Sequence, residues 1–182
     1  MLLYIILGII VLIALYVLTT YNSLVKLKNR VSEAFATMDV YLKKRWDLIP
    51  NLVETVKGYA KHEESVLEEV TKLRTASYDD MSDKDKVEVN KKLSQSISKL
   101  IAIGEAYPEL KANENFNNLS NQLSNIEEDI ANSRKYYNAT VRTMNDKVQM
   151  FPSNIIAAIL GFKTQEMFEI DEAQRENVKV EF

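Results

Sequence analysis

The sequence predicts an all-α protein, with a single N-terminal transmembrane helix followed by a bundle of long helices. Three observations carry that reading. Residues Leu2 to Leu18 form an unbroken apolar run, and the first charge is Lys26. From Val31, apolar residues recur every three or four positions: Phe35, Met38, Leu42, Ile49, Leu52, Val56, Tyr59, then Val66, Val70 and Leu73. That spacing collects them on one helix face, interrupted only by Arg45 and Glu63. Finally, 4 glycines and 3 prolines in 182 residues leave few places to turn, which favours long helices over many short strands.

Composition narrows the function. A net charge of −3 argues against a general nucleic-acid binder, which needs a concentrated basic face. The absence of cysteine excludes disulfides, thiolate metal sites and cysteine catalysis. The length fits one folded domain by the usual prior of roughly 100–200 residues. The chain divides into an anchor at 1–22, a helical body at 23–162 and a polar tail from 163 to 182.

The anchor comes first. About 17 residues rising ~1.5 Å each span ~26 Å, and Thr19 and Thr20 extend the run toward the ~30 Å hydrocarbon core of a bilayer. Tyr4, Tyr16 and Tyr21 suit the interface, where an amphipathic ring is stable. A cleaved signal peptide would need a charged start, a shorter apolar region and a small-residue cleavage site, and these are missing. Lys26, Lys28 and Arg30 follow the run closely, so the positive-inside rule leaves the N-terminus outside and the body in the cytoplasm.

Pro50 punctuates the first seam. It has no N–H for the carbonyl of Trp46, so the helix must kink or stop there. Either one kinked helix continues to Ala76, or the chain reverses at Leu48–Asn51 and a second helix starts with Pro50 in its first turn. Segments 24–48, 51–77, 84–107 and 113–149 are each long enough for a bundle arm, so four arms are preferred to three.

Ser82-Asp83-Lys84-Asp85 has the form of a capping box at the next helix start. The neighbouring aspartates lack the spacing, glycine and closing glutamate of a calcium loop, so they belong to a solvated connector. The third arm carries Leu93, Ile97, Leu100, Ile101 and Ile103 and stops at Gly104-Glu105-Ala106-Tyr107-Pro108. Asn113 is an N-cap candidate for the last arm, whose seam is Phe116, Leu119, Leu123, Ile126, Ile130, Tyr137, Val141, Met144 and Val148. Phe151-Pro152 ends it. Ser153 is expected to cap a short apolar helix, Ile155 to Leu160, closed by Gly161 in the left-handed conformation. The tail from Lys163 reads as loose, with Met167, Phe168 and Ile170 available for docking.

Little in the chain points to chemistry. His62 is the sole histidine, and His62-Glu63 lacks the second histidine of H-E-x-x-H, so an exposed helix residue is expected instead of a metal ligand. Glu127, Glu128 and Asp129 are adjacent and radiate around a helix, which does not pair them for acid–base work. No phosphate loop or nucleophile elbow occurs. The reading is therefore of a protein that is not an enzyme and takes no cofactor, metal, nucleic acid or small-molecule substrate. Two features suit an interaction surface instead. Lys43, Lys44, Arg45 and Trp46 form a basic cluster with an aromatic, fitted to acidic lipid head groups or an acidic partner; a merely solvated helix face is the plain alternative. Tyr136 stands off the seam that Tyr137 occupies.

Several blocks in order resemble the LemA family. They are Tyr21-Asn22-Ser23-Leu24-Val25, Asp47-Leu48-Ile49-Pro50-Asn51-Leu52-Val53 with Val56-Lys57-Gly58-Tyr59-Ala60, His62-Glu63, the turn Tyr107-Pro108-Glu109-Leu110-Lys111-Ala112-Asn113, Tyr137-Asn138, and Phe151-Pro152-Ser153-Asn154 with Gly161-Phe162. Trp46 and Phe35 stand where the family pattern leads one to expect Tyr and Trp. The resemblance implies a small bacterial protein anchored in the cytoplasmic membrane, with an antiparallel four-helix bundle and no established biochemical activity. The expected function is that of a non-enzymatic scaffold that self-associates into a homo-oligomer or organises other membrane proteins. The alternatives are a membrane-shaping or lipid-binding protein that works through the basic cluster and the C-terminal apolar helix, or an enzyme with an unrecognised site.

Overall fold

The computed structural model describes residues 1–60, 62–74 and 77–168, which form six α-helices and no strand. They are α1 (Leu2–Lys57), α2 (Glu64–Leu73), α3 (Asp83–Ala106), α4 (Pro108–Lys111), α5 (Glu114–Gln149) and α6 (Ser153–Ile159), with a 3₁₀ turn at Tyr78–Asp80. The chain is thus all-α, and its N-terminal helix is long and apolar enough to cross a membrane. Every residue from Leu2 to Thr19 is exposed, whereas Thr20 and Leu24 are buried.

The first helix does not stop at Pro50, contrary to the expected reversal at Leu48–Asn51. It runs on to Lys57 and ends at Gly58, so one helix covers what the proline rule would divide. The physical reason lies in burial. Losing the proline's hydrogen bond and accommodating its ring cost about 3 kcal/mol. Ile49, Leu52 and Val56 are fully buried on one face around it, and each contributes roughly 1.5–3 kcal/mol. The second arm is correspondingly short, ten residues from Glu64.

Two compact units share α1 and α5. In the unit formed by Thr37–Asn132, contacts define the helix directions. Arg45 meets Glu127 and Tyr59 meets Asn113, so α1 and α5 are antiparallel. Glu69 meets Lys99 while Tyr107 meets Glu63, which sets α2 and α3 antiparallel. Asp39 with Lys86 and Arg45 with Asn90 make α1 and α3 parallel. Buried Met38, Leu42, Ile49, Leu52, Val70, Leu93, Leu100 and Leu123 fill this unit. α3 ends at Ala106, within the expected stop, and Gly104 in its last turn leaves room for the Phe116 ring, which occupies the space a Cβ would need.

The second unit joins the first 36 residues to the chain from Ser133 onward. Its core is Leu24, Leu27, Val31 and Ala34 of α1, Tyr137, Val141 and Met144 of α5, and Ala157 of α6. Phe35, Tyr137 and Phe168 make mutual ring contacts, and Tyr21 meets Phe162 edge-on.

Caps follow the local sequence. The Ser82 hydroxyl accepts from the Asp85 N–H and donates to the Asp85 carboxylate. Asn113 Oδ1 accepts from the Phe116 N–H. Ser153 differs from expectation: it is the first residue of α6, and its hydroxyl donates to the Met150 carbonyl instead of capping. Gly161, at φ 72°, closes the helix with Gly161 N–H on the Ala158 carbonyl and Phe162 N–H on the Ala157 carbonyl, a Schellman end. The segment after it is held, not loose. Asn145 pairs through its amide with both backbone groups of Gln165, and Asn138 does the same with Phe168. Ile170, the other docking candidate, lies outside the described residues.

Candidate functional site

The basic cluster divides between interior and surface. Arg45 and Trp46 are 1% and 4% exposed, so neither forms part of a surface patch. Lys44 is exposed and lies over the Tyr41 ring, while Lys43 is partly exposed and pairs with Asp47. Tyr136 is more than half exposed and belongs to the other unit, where it lines a cleft with Arg30, Thr140 and Thr143. Of the five residues, Lys43, Lys44 and Tyr136 thus reach the surface, and Arg45 and Trp46 belong to the interior.

Arg45 instead organises a polar network inside the helical body. Position 45 is on the seam by spacing, so the side chain enters the core and must find partners there. Its Nε donates to Asn90 Oδ1 at 3.3 Å, and Nη2 donates to the Asn90 carbonyl and Oδ1 at 2.7 and 2.8 Å. Nη1 donates to Ser94 Oγ at 2.6 Å and to Glu127 Oε1 at 2.5 Å. A guanidinium has five N–H donors, and each has an acceptor here. Asn90 is itself buried and gives its amide to the Lys86 carbonyl. One arginine thus ties α1 to α3 and α5.

A second network adjoins it. The Tyr78 hydroxyl donates to Asp39 Oδ1 at 2.6 Å, and Lys86 Nζ donates to Asp39 Oδ2 at 2.9 Å. The Tyr78 ring packs on Trp46, with Lys43 and Lys86 over its face and Arg74 over Trp46. Burial, and then the bond to Asp39, push the Tyr78 phenol above its ordinary range. On α2, hydrogen bonds from Lys99 and Ser96 hold Glu69 below the usual carboxylate value. Tyr78, Asp39 and Lys86, and likewise Glu69, Ser96 and Lys99, pair with one another and build helix contacts.

Among the described residues, no group of three or more His, Cys, Asp or Glu side chains converges as metal ligands. His62 is exposed in the turn between α1 and α2. Two open clefts lie near the start of the body. One is lined by Thr19, Asn22, Ser23, Lys26, Leu27 and Arg30, and its neighbour shares Leu27 and Arg30. Sequence reasoning used Lys26 and Arg30 for orientation alone. Their i, i+4 spacing, with Asn22 one turn earlier, was the signal that they form a polar stripe on one face.

The fold and these networks define a class: an all-α protein with a membrane-compatible N-terminal helix and a body braced by buried polar contacts. The LemA family profile matches residues 34–182, and the chain belongs to the LemA family. It is 25% identical to Protein LemA of Metamycoplasma hominis over 158 residues, covering 86% of this chain and 72% of that one. It is 23% identical to Magnetosome protein MamQ 2 of Paramagnetospirillum magneticum and to Magnetosome protein MamQ of Magnetospirillum gryphiswaldense. Those matches cover 84% and 83% of this chain, and the chain spans 65% of the length of each magnetosome relative.

Proposed function

We propose that this protein is a membrane-anchored, non-enzymatic helical scaffold that self-associates or organises other membrane proteins. In this reading residues 1–22 cross a bacterial cytoplasmic membrane, the N-terminus is outside and the helical body is in the cytoplasm. One observation carries the proposal: the helix whose first turns are wholly exposed and apolar is the same helix that supplies Arg45 to the buried network. A group that binds the body is thereby tied to the bilayer through continuous helix. The buried polar groups support a structural role, since Arg45, Asn90, Asp39 and Tyr78 spend their hydrogen bonds on one another. The relatives' names support it too, because they refer to a family and to the magnetosome and not to a reaction. The test is photo-cross-linking in native membranes from a reactive group at exposed Tyr136, followed by identification of the captured proteins. Self-adducts, or one recurring membrane protein, are expected. Monomer alone, from this position and from a set of other exposed body positions, would refute the scaffold.

A further inference from the structure

The unit that contains the apolar run also carries an exposed apolar surface beside the end of that run. Phe151 is 79% exposed and Ile159 77%, with Ile155 and Leu160 exposed between and beside them. Phe151, Ile155 and Ile159 are spaced four apart, and the opposite face of α6 is used up, with Ser153, Ile156 and Ala157 buried. The position of α6 is fixed by two contacts. Ala157 is in the same core cluster as Leu24 and Leu27, and the Phe162 ring meets Tyr21. Leu24 is six residues beyond Leu18, about 9 Å along the helix. That distance is comparable with the headgroup layer, roughly 5–8 Å deep on each side of the hydrocarbon.

We infer that α6 and its flanking turn are a lipid-binding collar, laid into the bilayer interface beside the emerging helix. The inference rests on the reading that α1 spans a bilayer and deepens it by naming the surface that engages lipid. Apolar side chains at interfacial depth gain the free energy of leaving water, as they do for any in-plane amphipathic helix. Charge fits the same occupant. Lys26 and Arg30, two and six residues past Leu24, are exposed, form no ion pair among the described residues and line a cleft with Asn22 and Ser23. They follow just past the headgroup layer, about 12 and 18 Å beyond Leu18 along the helix, where long cationic side chains are drawn back toward the phosphates of anionic lipids. Lys43 and Lys44 are not part of the collar.

The chain has no cysteine, which permits single-site labelling of the full-length protein. An environment-sensitive dye would be attached to Ile159→Cys, to Lys135→Cys as an exposed reference in the same unit, and to Ile10→Cys within the apolar run. Each protein would be reconstituted into phosphatidylcholine vesicles with and without phosphatidylglycerol. At position 159 the dye should be blue-shifted and quenched several-fold more by lipid-borne than by water-borne quencher, and the reverse should hold at 135. Adding phosphatidylglycerol should strengthen lipid quenching at 159, and Lys26→Glu with Arg30→Glu should abolish that increment. Position 159 behaving like 135, while position 10 is quenched by lipid, would overturn the collar and leave the anchor standing. Water-like behaviour at position 10 as well would overturn both.

Discussion

Replacing Arg45 by alanine tests how the helical body is held together. The substitution removes all five hydrogen bonds of a side chain that is 1% exposed. The Asn90 side-chain oxygen and Ser94 Oγ then lose a donor in the interior, each a loss of about 1–3 kcal/mol. Glu127 is 38% exposed and can return to water, so its release adds little. Together with the cavity, the expected destabilisation is roughly 3–5 kcal/mol. For a chain of this size that lowers Tm by about 6–20 °C, at roughly 2–4 °C per kcal/mol. Far-UV circular dichroism of the full-length protein in detergent would follow the melt. Arg45→Met combined with Asn90→Leu should recover much of the loss, because removing both partners leaves fewer orphaned groups. Glu127→Gln should cost less than Arg45→Ala. A change below about 0.5 kcal/mol for Arg45→Ala, small against a usual total of ~5–15 kcal/mol, would refute the network as a structural hub.

Gly104→Ala places a methyl group where the Phe116 ring now sits, so calorimetry should show a loss of roughly 1–3 kcal/mol despite alanine's better helix propensity. Tyr78 has its pKa raised in the folded state, so its contribution is complete below the unfolded value near 10 and declines as pH rises above it. Ultraviolet titration should accordingly show one tyrosine ionising only as the helices melt, and Tyr78→Phe should remove that late step. Deleting residues 1–22 should leave a soluble, strongly helical protein with a cooperative melt, since apart from Thr20 the described buried core begins at Leu24; aggregation or weak helicity would count against a self-sufficient body.

The helical faces were legible because burial repeats with the helix period. Met38, Leu42, Ile49, Leu52 and Val56 on one helix, and Phe116, Leu123, Ile130, Val141 and Met144 on another, are all buried as their spacing implies. Pro50 was misleading because a local rule met a larger tertiary term: the helix continues where three fully buried side chains surround the missing bond. Arg45 carried two contradictory signals. Its neighbours Lys43 and Lys44 suggested a surface cluster, while its seam position pointed inward, and the seam was the better guide. Its partners Asn90, Ser94 and Glu127 were not legible, since they meet it only after α1, α3 and α5 pack. The same is true of the segment after Gly161. Asn138 and Asn145 lie one heptad apart on α5, but their use as backbone clamps depends on where Gln165 and Phe168 return.

Self-association is the central claim of the scaffold, and copies tethered in one plane are held at high effective concentration, so weak contacts between helical arms become populated. The apolar run offers only Gly8 and Ala14 for close approach, and they are not at G-x-x-x-G spacing, so the arms and not the anchor should drive assembly. Sedimentation equilibrium of the full-length protein in density-matched detergent measures this directly. The account predicts a mass that rises with micromolar concentration to a multiple of 20.9 kDa and an assembly that survives deletion of residues 1–22. A mass of one chain throughout that range would contradict self-association and leave only the scaffold that organises other membrane proteins.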